Sequence, residues 1–150
     1  MIVFRRVNIF FMLLLAITMS IPLWAGQEIT VYKSPTCGCC NKWIKHLEEN
    51  GFEVKAENVK DVIPYKIKYG VTPQLASCHT AVIDGYTIEG HVPASDIKRL
   101  IKERPTLQGL SVPQMPVGTP GMEQGDRKDP YQVIGFDREG RTNVFTDYTK

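Results

Sequence analysis

Four cysteines are the residues of this chain best suited to chemistry. Three of them, Cys37, Cys39 and Cys40, lie within four positions, and the fourth, Cys78, is followed directly by His79. A cysteine thiolate attacks disulfides and binds soft metals. C-x-x-C spacing alone is common to redox and metal proteins, but C-x-C-C with a later Cys-His pair is more specific for a metal site. Either chemistry requires that the sulfurs come together in the fold.

The segments around the first three cysteines predict that they lie at the start of a helix. Residues 29–32 are β-branched and aromatic, as strands prefer. Residues 41–49 have the apolar spacing of an amphipathic helix. At a helix N-terminus, the free backbone amides and the helix dipole favour a thiolate over a thiol.

The rest of the sequence predicts alternating strands and helices. We expect a strand over 52–56, a helix over 61–69, strands over 80–83 and 86–90 joined by Asp84-Gly85, and a helix over 96–103 with Ser95 as N-cap. This β-α-β-α-β-β-α order predicts an α/β, thioredoxin-like fold. In that fold, the loop entering the third strand faces the motif that follows the first strand. Cys78 is therefore expected within reach of Cys37 and Cys40.

A Pro- and Gly-rich segment over residues 105–130 follows the last of these helices and contains Met115 and Met122. A segment of this length without predicted structure is usually functional or disordered. Residues 131–136 and 141–148 then predict a C-terminal β-hairpin.

Residues 1–25 have the features of a secretory signal peptide. Arg5 and Arg6 form a positively charged start, residues 10–17 are continuously apolar, and Ala25 ends a plausible cleavage site. The apolar run is shorter than the ~20 residues that a bilayer core requires, so we favour cleavage over a membrane anchor. The expected product is a single exported, periplasmic domain over residues 26–150.

The charge of the expected mature chain argues against two classes of partner. The full sequence has a net charge of +2, and the two arginines of the leader account for it. A chain with balanced charges has no electrostatic basis for binding nucleic acid or an anionic membrane surface.

Export also affects what the cysteines are expected to do. In an oxidising compartment, four cysteines form two disulfides by default. Here at least one bridge would be local and would close almost no loop, so it would add little stability. A single disulfide with a spare thiol remains the structural alternative, but the clustering favours a shared metal site.

Copper(I) is the metal that this donor set favours. Thiolate and thioether ligands select copper(I), and four bridging thiolates can hold more than one ion. We predict a copper(I) site whose candidate ligands are Cys37, Cys39, Cys40, Cys78, His79, Met115 and Met122. His91 is available as an outer ligand, but we expect it in a hydrogen-bonded structural role, and His46 is expected on the surface.

Four stretches of the sequence are specific in combination. They are residues 32–40 (YKSPTCGCC), 77–81 (SCHTA), 88–94 (IEGHVPA) and 115–123 (MPVGTPGME). Together they resemble the CopG-like family of exported proteins tied to copper resistance. The resemblance implies a thioredoxin-like fold and a cysteine-bridged copper(I) cluster on Cys37, Cys40 and Cys78, with Cys39 available as a fourth ligand. Gln114 departs from the family pattern, in which glycine precedes the Met-Pro pair.

Two other functions remain open from the residues alone. In a thiol–disulfide oxidoreductase, Cys37 would attack and Cys40 would resolve, although the sequence has no proline at the position where redox members carry a cis-proline. A structural zinc or iron–sulfur site usually has two separated C-x-x-C pairs, which this chain lacks. For a copper protein the expected partners are copper ions and copper efflux or chaperone proteins.

Overall fold

The computed structural model describes residues 26–150, and the expected signal peptide lies outside the described residues. The elements are β1 (Gln27–Lys33), α1 (Gly38–Glu49), β2 (Phe52–Asn58), α2 (Ile63–Lys68), β3 (Thr80–Ile83), β4 (Tyr86–Glu89), α3 (Ala94–Glu103), β5 (Gly109–Ser111), β6 (Tyr131–Phe136) and β7 (Thr142–Tyr148). Within this part of the chain, no helix has the length and apolar character needed to cross a bilayer.

All seven strands form one mixed sheet in the order β2-β1-β3-β4-β5-β6-β7. β1 pairs with β2 in parallel and with β3 in antiparallel, and β4 is antiparallel to β3. The predicted order of elements through α3 is confirmed. β5 was not predicted. It lies between β4 and the hairpin strand β6, and it pairs with β4 in parallel and with β6 in antiparallel.

The strand directions bring three chain segments to one edge of the sheet. β1 ends at this edge, β3 begins there, and β4, which runs parallel to β1, also ends there. The segments that follow β1, precede β3 and follow β4 contain, respectively, the C-x-C-C motif, Cys78-His79 and His91. The topology therefore places these chemically active residues together.

Local sequence explains the turn between β3 and β4 but not the start of α3. Asp84 and Gly85 have φ values of +54° and +85°, which is the backbone of a tight two-residue hairpin turn between β3 and β4. The predicted N-cap of α3 is wrong. The helix begins at Ala94 after Pro93, so Ser95 lies inside the first turn and makes no capping bond.

The main core lies between the sheet and the helices α1 and α3. Its fully buried side chains are Ile29, Val31, Trp43, Leu47, Ala81, Ile88, Val92, Ile97, Leu100, Leu110, Val112 and Val133. Trp43 is the largest of them, and its indole N–H donates to the carbonyl of Val92 at 2.9 Å. This bond fixes the segment after β4 against α1.

The segment over 112–130 is ordered and folds back onto α1. Within it, the Gly118 N–H donates to the Met122 carbonyl at 3.1 Å. Gly121 has a φ of +87°, and a Cβ there would come within 2.7 Å of the backbone nitrogen of Trp43 and 2.9 Å of the Cys39 carbonyl. Only glycine allows this close approach, which brings Met122 beside the first turn of α1.

Candidate metal centre

Cys37 lies at the N-cap of α1, as the sequence predicted. Its sulfur accepts the Cys40 N–H at 3.4 Å, so it occupies the place where free amides and the helix dipole stabilise negative charge. Cys37 and Cys39 are half-buried, and Cys40 is fully buried. The motif therefore presents two sulfurs toward solvent and one toward the core.

The four cysteine sulfurs meet at the edge of the sheet. Their Sγ atoms all lie within 4.8 Å of one another. Cys78 Sγ lies 3.6 Å from Cys40 Sγ and 4.0 Å from Cys39 Sγ, and Cys39 Sγ lies 3.5 Å from Cys37 Sγ. The predicted approach of Cys78 to the first motif is confirmed.

Cys37 and Cys40 form a disulfide, and Cys39 and Cys78 are free thiols. The clustering of the cysteines predicts a shared metal site in preference to a disulfide with a spare thiol, whereas the structure contains a disulfide and two free thiols. The N-cap position of Cys37 brings its sulfur over the first turn, where Cys40 follows three residues later. In this oxidised form two of the four sulfurs are unavailable to a metal, and reduction makes them available again.

Two buried histidines extend the cysteine cluster. Cys78 Sγ lies 3.2 Å from His79 Nδ1 and 3.2 Å from His91 Nε2. Both imidazoles are 0% exposed. Cys78, His79 and His91 thus form a mixed sulfur and nitrogen group that adjoins the four-cysteine group.

The orientation of His91 is defined by the carbonyl of Pro120, which lies 2.7 Å from His91 Nδ1. A carbonyl only accepts hydrogen bonds, so Nδ1 carries the proton. Burial lowers the pKa of His91 and favours the neutral ring. Nε2 therefore presents a lone pair to Cys78, and metal-binding histidines commonly have this bond from the other ring nitrogen to a carbonyl. The predicted hydrogen bond is present, but the sequence analysis did not place His91 in the candidate site.

His79 is the most isolated polar group of the cluster. Within residues 26–150, its Nε2 has no hydrogen-bond partner. Burial lowers the pKa of His79 well below its usual value, and the nearby His91 and Lys66 lower it further. The ring packs against Trp43, with 4.3 Å between ring centroids. A buried polar atom without a protein partner requires an explanation, and a bound metal ion or an ordered water would each supply one.

The Cys78 thiol is protonated at neutral pH while Cys37 and Cys40 are joined in the disulfide. Burial raises the pKa of the Cys78 thiol to about 12, and the neighbouring Cys39 raises it as well. A metal must therefore displace a proton to bind this sulfur.

The two methionines differ in their relation to the cysteines. Met122 is half-buried and lines an open depression of about 270 Å³ together with Cys39, Lys42 and Glu123. Met115 is 47% exposed. Its neighbour Gln114 donates its N–H to the Ala76 carbonyl and accepts from the Ser77 hydroxyl. Gln114 has a φ of +61°, a conformation that glycine adopts without strain.

His46 is half-buried and not a simple surface residue. Its Nε2 accepts the Ala94 N–H at 3.1 Å at the start of α3. Burial lowers the pKa of His46, which favours the neutral ring that this bond requires. His46 therefore performs the capping that was predicted for Ser95.

Comparisons with known proteins give one family model and two similar solved structures. A family model described as "Protein of unknown function, DUF411" matches residues 75–122, the part that contains Cys78, His79, His91 and Met115. No curated protein gives a significant match. Two solved structures do: copper resistance protein CopG, form 2, is 51% identical with a TM-score of 0.79, and form 1 is 50% identical with a TM-score of 0.79. They cover 82% and 83% of this chain and 98% and 99% of their own.

The fold and the site define a mixed α/β domain with a cysteine and histidine cluster at one edge of its sheet. The identity and the coverage of both structures are high enough to assign the family. The chain belongs to the CopG family of copper resistance proteins.

Proposed function

We propose that this chain is an exported copper(I)-binding protein of copper resistance. The observation that carries the proposal is the convergence of four cysteine sulfurs within 4.8 Å in a chain whose relatives are named copper resistance proteins. Thiolate sulfur binds copper(I) strongly, whereas hard cations prefer oxygen ligands. The half-buried positions of Cys37 and Cys39 give an ion access to the site.

We further propose that the domain is thioredoxin-like. Its first four strands have the order β2-β1-β3-β4, with β1 and β2 parallel and β3 antiparallel to both β1 and β4. The C-x-C-C motif lies between β1 and α1, and the segment entering β3 faces it. These pairings and this position of the motif support the proposal.

In the reduced protein the four thiolates would bridge more than one copper(I) ion. His91 Nε2 offers a lone pair next to Cys78, and His79 Nδ1 lies 3.2 Å from the same sulfur. Met122 lines the depression beside Cys39 and would serve as a further ligand there. Met115 is exposed and would serve as an outer ligand for an entering or leaving ion.

The Cys37–Cys40 disulfide supports a coupling between copper binding and thiol redox. When two thiols exchange with an external disulfide such as oxidised glutathione, a new disulfide forms and two glutathione thiols are released. That step removes two of the four sulfurs from the metal. We expect oxidised glutathione to release copper from the loaded protein.

The predicted signal peptide supports a periplasmic location, where copper would be received as free or weakly bound ions and passed to efflux or chaperone proteins. Cell fractionation with an antibody tests the location. Recovery of the protein in the cytoplasm with residues 1–25 intact would contradict it.

The deciding experiment is an anaerobic copper(I) titration of the reduced protein over residues 26–150 against a chromophoric chelator. We expect more than one copper per chain, ultraviolet charge-transfer absorption, and protection of all four thiols from alkylation. A protein that takes no copper from the chelator would contradict the proposal. Cys78→Ser is expected to lose most of the bound copper, and His46→Gln, which changes a residue outside the cluster, is the matched control.

A thiol–disulfide oxidoreductase is the second candidate, because Cys37 is half-buried at a helix N-cap and is bonded to Cys40. Free thiols at Cys39 and Cys78 beside that disulfide are not required by such an enzyme. Disulfide-reductase turnover that is abolished in Cys37→Ser, in a protein that does not bind copper, would favour this candidate.

A further inference from the structure

A buried carboxylate lies directly behind the Cys78-His79 segment. The side chain of Glu89, at the end of β4, is 0% exposed. Its Oε1 accepts the Ser77 N–H at 2.6 Å, and its Oε2 accepts the Thr80 hydroxyl at 2.7 Å. Glu89 is not a member of the cysteine and histidine cluster.

The two partners of this carboxylate bracket the candidate ligands. Ser77 immediately precedes Cys78, and Thr80 immediately follows His79. The two oxygens of one side chain thus hold both ends of the dipeptide that supplies a sulfur and an imidazole. The Gly90 N–H adds a third bond by donating to the His79 carbonyl at 3.1 Å.

The segment is also pressed closely against the end of β4. Gly90 has a φ of +71°, and a Cβ there would come within 2.5 Å of the Ser77 side chain and 2.6 Å of the Val112 carbonyl. The Ser77 side chain packs closely on Gly90, which limits a shift toward β4, and the Glu89 bond opposes a shift in the other direction. Both restraints act on the residue next to Cys78.

The charge of Glu89 is balanced by Lys66 of α2. The ammonium lies 2.5 Å from Glu89 Oε1 and 3.2 Å from the Thr80 hydroxyl, and its side chain is 11% exposed. A buried charge is costly without a partner, and a buried ion pair often adds no more stability than apolar side chains of the same volume. The specific contribution of this pair is therefore the set of hydrogen bonds that it directs at residues 77 and 80.

We propose that Glu89, balanced by Lys66, is a positioning residue for the metal centre and holds Cys78 and His79 in the geometry that faces Cys40. This inference rests on the proposed copper binding. It assigns a role to α2, a helix that supplies no candidate ligand but supplies the counter-charge for the carboxylate.

The test compares charge removal with and without preservation of the hydrogen bonds. The double variant E89L/K66M replaces the pair by apolar side chains, and we expect it to fold but to bind copper(I) about 10–100-fold more weakly. E89Q/K66M keeps an amide oxygen for the Ser77 N–H and an amide N–H for the Thr80 hydroxyl, and it should recover most of the lost affinity. Wild-type affinity and ultraviolet absorption in E89L/K66M would overturn the inference, as would failure of E89Q/K66M to recover any affinity.

Two further variants guard against misfolding as an explanation. D96N changes another buried carboxylate, Asp96 of α3, which accepts hydrogen bonds from the Thr146 and Tyr148 hydroxyls of β7. This variant should lower the thermal midpoint without changing copper affinity. T80V removes the hydroxyl that donates to Glu89 with little change of side-chain shape. If E89L/K66M does not fold, the copper affinity of T80V tests the inference instead. We expect a several-fold loss of affinity in T80V, and unchanged affinity there would count against the inference.

A readout without copper separates this inference from the proposed function. In the metal-free protein with the Cys37–Cys40 disulfide intact, the alkylation rate of Cys78 is compared with that of Cys39. We expect E89L/K66M to accelerate alkylation of Cys78 selectively. If the wild-type protein binds no copper, the proposed function fails. The alkylation rate of Cys78 still tests the positioning role of Glu89 in that case, and an unchanged rate in E89L/K66M overturns that role.

Discussion

The cysteine edge of the sheet and the C-terminal hairpin, β6 and β7, each depend on a buried carboxylate, and the partners of the two carboxylates differ. Asp96 on α3 accepts the Tyr148 hydroxyl at 2.8 Å and the Thr146 hydroxyl, both from β7. Those partners only attach the last strand to the helix. The partners of Glu89 flank two candidate metal ligands.

The two regions also differ in how completely their buried polar groups are bonded. At the hairpin, Asp96 is satisfied by protein donors. At the cysteine edge, His79 Nε2 has no partner within the described residues, and two further sulfurs are free thiols. A buried charge alone therefore does not identify a functional site. Incomplete bonding among groups that share one ligand chemistry is the more informative sign.

The largest expected effect is on the core beneath the cysteine edge. Trp43→Ala removes a fully buried ring that packs on His79 and donates to Val92. We expect the free energy of unfolding to fall by roughly 3–5 kcal/mol, measured by urea denaturation of the metal-free protein. Val144→Ala, at a 50% exposed site on β7, should change it by less than about 0.5 kcal/mol. Equal losses in the two variants would remove the contrast between the regions.

The next effect concerns the contact of the 112–130 segment with α1. Gly121→Ala forces a Cβ against the Trp43 nitrogen and the Cys39 carbonyl, and we expect a loss of about 1–3 kcal/mol in unfolding free energy. Gly125→Ala is the matched control, because Gly125 also has a positive φ but open space around it. Gly121 has a φ of +87° and Gly125 a φ of +55°, so the excess loss in Gly121→Ala combines the clash with the added backbone strain. A loss no larger than in Gly125→Ala would contradict the packing.

Features that depend on residues close together in the sequence could be predicted, and most features that depend on distant residues could not. The C-x-C-C motif, α1 and the Asp84-Gly85 turn depend on neighbouring residues, and they were predicted correctly. The approach of Cys78 was predicted from the order of elements, although it spans 38 residues.

Features that depend on distant partners were missed. β5 has only three residues, and Gly109 forms part of it because any Cβ there would collide with the Thr87 carbonyl of β4. His91 is oriented toward the site by its bond to the carbonyl of Pro120, 29 residues away. No local sequence pattern indicates this bond. The ion pair of Lys66 and Glu89 likewise joins two elements that look unrelated in the sequence.

A smaller effect is expected at the hairpin. Tyr148→Phe removes the hydroxyl that donates to Asp96 but keeps the ring that stacks on Tyr131. Because the bond is only partly buried, we expect a loss of about 1 kcal/mol in unfolding free energy, with no change in copper affinity. A change in copper affinity would show that the hairpin and the cysteine edge are coupled, against the comparison above.

The smallest effect concerns pH and the residue that links the two regions. His46 lies on the cysteine-bearing helix α1 and accepts the N–H of Ala94, two residues before Asp96 on α3. Burial lowers the pKa of all three histidines in the folded chain. The unfolded chain takes up protons near the ordinary value of 6.5, so it binds more protons below that pH than the folded chain. The stability that the three neutral histidines contribute is therefore fully present above pH 6.5, and it declines as the pH falls below that value.

His46→Gln isolates the contribution of the link, because a glutamine oxygen can accept the Ala94 N–H without titrating. Urea denaturation at pH 7.5 and pH 5.0 should show a smaller acid loss in this variant than in the wild type, by about 0.5–1 kcal/mol, the scale of a helix N-cap. The remaining acid loss belongs to His79 and His91 at the cysteine edge. If the two proteins lose the same stability, the His46 bond does not join the regions, and acid sensitivity is a property of the cysteine edge alone.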